Sequence, residues 1–370
     1  MNLVIDRSNL LKSLNHVQSV VERRNTIPIL SNVRIDASLD NLRLSATDMD
    51  IEVVEKTDAN ILQNGEVTAS AHTLYDIIRK LPDGAQVEMV YDNNQLSLTS
   101  GRSSFKLSCL PADDFPSLTP GEFLNTFKLK SNDLRSIIDK TKFAISTEET
   151  RYYLNGIFLH SLESDGIKVL RSVATDGHRL ALSEMALPDG ASNMPSVIIP
   201  RKAILELRKL IDEVNDEVEV QLSESKIRFS LGNTLLTSKL IDGEFPEYER
   251  VIPKENDKLL EVNTKSFSNA VDRVSAISAE KSRSIKLNFN KGLVALSASS
   301  PENGSSSEEV EASYDSDSFE IGFNSRYLLD IMQQIEGEAV RFNMSGPDAP
   351  TIVNDAADSS STYVLMPMRV

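Results

Sequence analysis

Along much of the chain apolar and polar positions alternate one by one, as in VEMVYD (87–92), LSLTS (96–100), VEVQLS (218–223) and IRFSL (227–231). A period of two puts all apolar side chains on one face, so these runs predict half-buried strands, and the turn residues between them predict antiparallel meanders. Other stretches change to a helical period. LVIDRSNLLKSLNHVQSVV (3–21), FKLKSNDLRSIIDKTKFAI (127–145) and LEVNTKSFSNAVDRVSAIS (260–278) each read as a short strand followed by an amphipathic helix. Ser8, Ser131 and Thr264 are the expected N-caps, because a side-chain oxygen there satisfies the first free amides of a helix.

These segments repeat. VTASAHTLYDIIRKLPDGAQVEMVYDNNQLSLTSGRSSFKLSCLPADDFP (67–116) lies over VIIPRKAILELRKLIDEVNDEVEVQLSESKIRFSLGNTLLTSKLIDGEFP (197–246), with Arg79-Lys80-Leu81 on Arg208-Lys209-Leu210 and Phe115-Pro116 on Phe245-Pro246. A third copy starts at FEIGFNSRYLLDIMQQIEGEAVRFNMSG (319–346), where Leu328, Ile331 and Ile335 keep the spacing of Leu74, Ile77 and Leu81. Copies about 125 to 130 residues apart predict three similar domains, each of two strand-helix-strands halves of about 60 residues. The Pro- and Gly-bearing runs at 110–124 and 242–258 place the borders, giving domains 1–124, 125–250 and 251–370. The fold class is α+β, with each sheet burying one face against its helices.

Composition narrows the function classes. Forty per cent hydrophobic content indicates a globular chain. The N-terminus lacks the basic start and apolar run of a signal peptide, and no stretch approaches the ~18 apolar residues of a membrane span; a soluble, cytoplasmic protein without membrane contact is expected. Cys109, the sole cysteine, excludes an intramolecular disulfide and a multi-cysteine zinc site. It sits in the alternating run FKLSCLP and reads as a buried strand residue. A net charge of -16 argues against a protein that coats nucleic acid with its whole surface, but leaves room for a small basic face.

Such a face has candidates. The repeat puts His72, Arg201 followed by Lys202, and Arg326 at equivalent places in the second helix of each domain, and Arg23 and Arg24, Arg151 and Arg283 after the first helices. Recurrence at matched positions favours a shared direction. With no recognition helix, zinc-finger spacing or aromatic-rich strand motif, the face would touch phosphates without reading bases, and binding would be non-specific and salt-dependent.

Enzyme signals are thin. The chain has no GxxxxGK[ST], HExxH or GxSxG, and its four histidines show no metal-ligand spacing; neither metal nor cofactor is expected. ATDGHRLA (174–181) gathers Asp176, His178 and Arg179, which raises a hydrolase as an alternative, but the glycine suggests a turn and nothing nearby in sequence supplies a nucleophile. The Ser- and acid-rich run SSPENGSSSEEVEASYDSDS (299–318) reads as a mobile loop with a strand inside it. A repeat scaffold that binds peptides but no DNA is a further alternative.

With three repeats, ATDGHRLA in the middle one, RYYLNGI (151–157), SKLIDGEFPEY (238–248) and a terminal YVLMPMRV, the chain resembles the bacterial DNA sliding clamps, the beta subunits of DNA polymerase III, over essentially its whole length. The resemblance implies a non-enzymatic processivity factor: a head-to-tail homodimer closed into a ring around duplex DNA, with helices lining the channel and the first domain of one chain meeting the third of the other. Two chains of three domains make six pseudo-equivalent domains, which closes by symmetry. The channel would carry Lys12, Arg24, His72, Arg201, Lys202 and Arg326. The resemblance also implies a pocket between the second and third domains for short linear motifs of the polymerase III catalytic subunit, the clamp loader, other polymerases and repair proteins. Carried over by position, it comprises Leu154, Thr175, Gly177, His178, Arg179, Leu180, Pro246, Arg250, Val251, Asn324, Tyr327 and the run Val364, Leu365, Met366, Pro367, Met368, Arg369 and Val370, with His178 and Arg179 at the rim holding the peptide. Two buried leucine- or phenylalanine-sized anchors would contribute roughly 3 to 6 kcal/mol before ordering costs. The chain departs from the familiar pattern at Ser282, Asp348 and Pro350 by the pocket and at Ile277-Ser278 by the dimer contact.

Overall fold

The computed structural model describes residues 1–370 apart from 39–40, 119–121, 165, 215, 279–282 and 370; Ser282 and Val370 thus lie outside the described residues. Among the described residues there are six α-helices: α1 Arg7–Gln18, α2 Ala71–Lys80, α3 Ser131–Lys142, α4 Arg201–Ile211, α5 Thr264–Ser275 and α6 Ser325–Met332. One strand precedes each helix and three follow it, the first half adding a short fourth strand, Asn60–Gln63. The strand-helix-strands half therefore recurs six times in an α+β fold.

The helices repeat because their buried stripes repeat. In α1 the positions Leu10, Ser13, Leu14 and Val17 are buried, and in α5 Phe267, Ala270, Val271 and Val274 occupy the same places from the helix start. An i, i+3, i+4, i+7 stripe of this kind seats each helix on its sheet. The caps fall one or two residues earlier than expected. Asp6, not Ser8, accepts from the Ser8 amide at 2.8 Å, and Asn263, not Thr264, accepts from the Ser266 amide at 2.9 Å, while Ser131 is already the first residue of α3. In each corrected case a carboxylate or amide sits just outside the helix and reaches the free amides, so the hydroxyl residue inside is not needed as the cap.

The chain packs as two compact units. The first holds Met1–Leu134, Pro188–Pro195 and Lys202–Leu240; the second holds Arg135–Leu187, Ser196–Arg201 and Ile241–Val370. Each is built on one large sheet, thirteen-stranded in the first and twelve-stranded in the second. In the first unit Thr234–Lys239 pairs antiparallel with Ile51–Thr57. In the second, Arg179–Ala186 pairs with Ser361–Leu365 in the register Arg179↔Leu365 and Leu180↔Val364. This second pairing lays the C-terminal strand beside the ATDGHRLA stretch.

Two expectations change. Residues 304–313 form a ten-residue strand hairpinned onto Leu293–Ser300, so the Ser- and acid-rich run is mostly sheet; Ser305, Ser307, Glu309 and Glu311 supply the outward face of an antiparallel strand. Cys109 lies on strand Ser103–Leu110 as expected but is only half-buried, and partial burial raises its thiol pKa.

Candidate functional site: an apolar cavity beside the Thr175–Arg179 turn

ATDGHRLA is a strand, a tight turn and a strand. Ile167–Thr175 leads in and Arg179–Ala186 leads out. The Asp176 carboxylate accepts from the backbone amides of His178 at 3.0 Å and Arg179 at 3.1 Å; the Thr175 hydroxyl donates to the Arg179 carbonyl at 2.6 Å and accepts from the Gly177 amide at 3.1 Å. Side-chain oxygens thus stand in for the missing ladder bonds of the turn. Gly177 has φ +86°, and a Cβ there would lie 2.5 Å from Nη1 of Arg151. The left-handed backbone favours glycine, and the close approach of Arg151 requires it.

Arg151 is held in turn. Its Nη2 donates to the Asp176 carbonyl at 3.1 Å and its Nε to Glu148 at 2.8 Å, and this pairing lowers the Glu148 pKa. Arg179 is nearly enclosed. Its Nε donates to Asp176 at 3.0 Å, Nη1 to Asp330 at 2.6 Å and Nη2 to the Phe143 carbonyl at 2.6 Å, and its plane lies 4.3 Å over the Tyr327 ring. Every nitrogen of the guanidinium is engaged, so Arg179, while lining the cavity, pins the turn to Asp330 of α6 and to the Phe143 carbonyl just after α3.

These bonds also dispose of the acid–base pair. Asp176 meets His178 through the backbone amide, its remaining oxygen is occupied by Arg179, and the His178 ring stacks toward Tyr327 at 6.5 Å. Among the described residues no group of three or more His, Cys, Asp or Glu is placed to hold a metal ion.

On the other side of the turn a cavity of about 270 Å³ opens, lined by Arg151, Tyr153, Leu154, Thr175, Gly177, Arg179, Leu180, Pro246, Glu247, Tyr248, Val251, Val364 and Met366. Its floor belongs to a core cluster containing Leu154, Val173, Leu180, Leu182, Ile198, Phe245, Tyr248 and Val364. The structure therefore brings together Leu154, Thr175, Gly177, Arg179, Leu180, Pro246, Val251, Val364 and Met366 from four separated segments. Leu154 comes from the turn Glu149–Leu154, Pro246 precedes the turn Tyr248–Val251 and Val251 ends it, and Met366 donates its amide to the His178 carbonyl at 3.0 Å.

Other expected residues fall elsewhere. His178, Asn324 and Tyr327 line a neighbouring polar cavity of about 580 Å³ together with Arg201, Arg283 and Arg326. Arg250 is exposed, pairs with the lining residue Glu247 and does not itself line the apolar space. Leu365 is buried in its strand, Met368 bridges to Gly322, and neither they nor Pro367 and Arg369 line the apolar cavity. Asp348 and Pro350 also stand clear of it; Asp348 is exposed and the Pro350 carbonyl accepts from Asn256 at 3.0 Å. Residue matching had missed Arg151, Tyr153, Glu247 and Tyr248 as lining residues, although RYYLNGI and GEFPEY contain all four.

The basic candidates differ in freedom. Arg24, Arg201 and Arg326 are exposed, with no ion-pair partner among the described residues. Lys12 pairs with Glu213 at 3.1 Å, and Lys202 pairs with Asp48 and donates to the Val20 carbonyl at 3.2 Å. The half-buried His72 has Nε2 3.0 Å from the Val21 carbonyl, which makes it a structural donor.

Comparison with known proteins covers the whole chain. Sequence profiles of the DNA polymerase III beta subunit match its N-terminal domain over residues 1–119, its central domain over 128–247 and its C-terminal domain over 249–369. The beta sliding clamp of Caulobacter vibrioides is 52% identical over 372 residues, and that of Pseudomonas aeruginosa 41% identical over 371, each covering 100% of both chains. Among solved structures, the C. crescentus beta sliding clamp with bound PEG superposes with a TM-score of 0.97 at 52% identity, covering 100% of this chain and 99% of that one. The sliding clamp from Bartonella birtlesii bound to griselimycin superposes with a TM-score of 0.98 at 50% identity over 100% of both.

Proposed function

The chain belongs to the family of DNA polymerase III beta subunits, the sliding clamps, and from that premise we propose that it is a non-enzymatic processivity factor, a ring-shaped homodimer that encircles duplex DNA and tethers the replicative polymerase. The observation that carries this reading is the sixfold recurrence of one strand-helix-strands half in a chain that matches beta subunit profiles from end to end. Two chains then supply twelve halves, enough to close a ring by symmetry. Domains at 1–124, 125–250 and 251–370 follow the repeat.

Two strand edges support the head-to-tail contact. Among the described residues, strand Ser103–Leu110 is paired along one side by Gln95–Ser100, but on the other only at Cys109 and Leu110. Among the described residues, strand Gly304–Ser313 is likewise paired along one side and, on the other, only at Ala312 and Ser313. The first edge carries Lys106, with Arg102 in the turn just before it, and the second carries Glu308, Glu309 and Glu311. An open edge is a template for another strand, and opposite charges select the partner.

Topological retention explains how a protein of charge -16 stays on DNA: phosphate contacts need only be weak. Arg24, Arg201 and Arg326 are the freest donors for that role; Lys12, Lys202 and His72 contribute less because acidic or carbonyl partners already hold them. The apolar cavity takes the hydrophobic anchors of short linear motifs from the polymerase III catalytic subunit, the clamp loader, other polymerases and repair proteins, with His178, Asn324 and Tyr327 flanking it. As a replication protein it works in the cytoplasm; among the described residues no helix is long and apolar enough to cross a membrane.

The test is retention. Loaded by a clamp loader onto nicked circular DNA, the protein should stay through gel filtration at high salt and leave once the circle is linearised. A stable monomer in light scattering, or equal retention on circular and linear DNA, overturns the reading.

A further inference from the structure

One wall of the apolar cavity is a short turn, Tyr248–Val251, whose backbone bonds are local, from Tyr248 to Pro246, Arg250 to Glu247 and Ile252 to Glu249. It is held from behind. Arg171, on strand Ile167–Thr175, is 9% exposed; its Nε donates to Glu184 at 2.5 Å, and its Nη1 donates to the Tyr248 hydroxyl at 2.7 Å and to Glu249 at 2.9 Å. Arginine has no acceptor, so the Tyr248 oxygen accepts from it and keeps its own proton to give. Among the described residues, the other polar side-chain atom within hydrogen-bond reach of that hydroxyl is Nε2 of His160, 3.0 Å away. The His160 ring stacks on Phe158 at 4.6 Å, and Phe158 stacks on Phe245 at 4.8 Å, almost parallel. The relay therefore runs from Arg171 through Tyr248 to a neutral His160 protonated on Nδ1. Burial, with the Arg171 charge added, lowers the His160 pKa to about 4, which agrees with an accepting Nε2.

We propose that Arg171 is a positioning residue for ligand binding: it does not line the cavity, yet through the Tyr248 hydroxyl and Glu249 it sets the wall against which a hydrophobic anchor packs. The inference rests on the reading of this cavity as the peptide site. Tyr248 presents its ring to the cavity and its hydroxyl to the relay, so the link from Arg171 to ligand is a single side chain. Without the guanidinium, Glu184 and the hydroxyl lose their donor in a largely buried place, and the turn is free to shift. A shift of about 1 Å in a wall matters because anchors gain affinity through close packing.

The experiment is a double-mutant cycle on the full-length protein, read by fluorescence anisotropy with a labelled octapeptide carrying adjacent leucine and phenylalanine. Arg171→Met keeps the stem and removes the donors; Tyr248→Phe keeps the ring and removes the hydroxyl. Each should weaken binding by about 10-fold, and the double variant by no more than about 2-fold beyond the weaker single, since both cut one link. Arg171→Lys should recover part of the loss. Val251→Asp, at a half-exposed lining position, separates the two readings. If it abolishes binding while Arg171→Met and Tyr248→Phe bind as the parent does, the positioning role is overturned and the cavity reading stands. If Val251→Asp leaves binding intact, the cavity reading falls and this inference with it. Additive losses that track a drop in melting temperature would make Arg171 merely structural, and also overturn the proposal.

Discussion

The turn at 47–51 and the turn at 175–179 are built by the same bonds. Thr47 donates to the Ile51 carbonyl at 2.8 Å and accepts from the Met49 amide at 3.0 Å, while Asp48 accepts from the amides of Asp50 at 2.9 Å and Ile51 at 2.8 Å. Thr175 and Asp176 make the corresponding four bonds around Gly177. Even the left-handed third residue is shared, with φ 80° at Met49 and 86° at Gly177. The surroundings differ. Met49 is 44% exposed, whereas Gly177 is covered by the Arg151 guanidinium and lines the cavity. An Ala-Thr-Asp sequence writes the turn; what packs over its third residue decides whether the turn is scaffold or site.

The sharpest way to break this comparison is to give the second turn the first one's residue. Gly177→Met needs a left-handed non-glycine backbone, about 1 to 2 kcal/mol, and its Cβ must displace Arg151 from the Asp176 carbonyl. A lower melting temperature and at least a 10-fold loss of affinity for the leucine–phenylalanine octapeptide are expected. Parent-like affinity would show that Arg151 does not shape the cavity.

A second contrast concerns the histidines of the two units. His160 has its pKa lowered from 6.5 to about 4 by burial and by Arg171. Between those values the unfolded chain binds a proton that the folded chain refuses. Its contribution is therefore complete above pH 6.5 and is lost as pH falls toward about 4. For His16, burial also opposes the charge, but hydrogen bonds to Glu55 at 3.2 Å and Glu213 at 3.0 Å, with their charges, outweigh it and raise the pKa. That contribution is complete below pH 6.5 and is lost as pH rises through the folded value. Denaturant midpoints measured from pH 4 to 8 should show His160→Phe flattening the acid side and His16→Gln flattening the neutral side. Identical profiles for both variants would remove the distinction.

The smallest effect is the converse substitution. Met49→Gly relieves the left-handed strain but loosens the unfolded chain, so stability should change by only about 0.5 kcal/mol. Peptide affinity should not change at all. A measurable loss of binding in Met49→Gly would mean that the first turn is not mere scaffold.

Much of this was legible in the residues. The six helices, the alternating strands and their repetition are properties of local period, and each half buries the stripe its period predicts, Leu10 and Phe267 alike. Misplaced caps at Ser8 and Thr264 came from the same local reading, because aspartate and asparagine one or two positions earlier compete for the same amides. The strand expected inside the loop at 299–318 is there but fills most of the run, because exposed Ser305, Ser307, Glu309 and Glu311 alternate with the less exposed Ser306, Glu308, Val310 and Ala312 at a strand's period, which the Ser- and acid-rich composition masks.

What the sequence alone determined, then, is the repeated half, its α+β class and the turn written by Thr175 and Asp176, since these depend on neighbours within a few positions. Only the tertiary structure decided which side chains share a space. Leu154, Leu180, Pro246 and Val364 meet because Arg179–Ala186 pairs in register with Ser361–Leu365 and the Tyr248–Val251 turn is tied down by Arg171. The same geometry made Arg179 a tether as well as a lining residue, and Tyr248 a wall. Pairing register and buried ion networks are set by distant partners, and no local period records them.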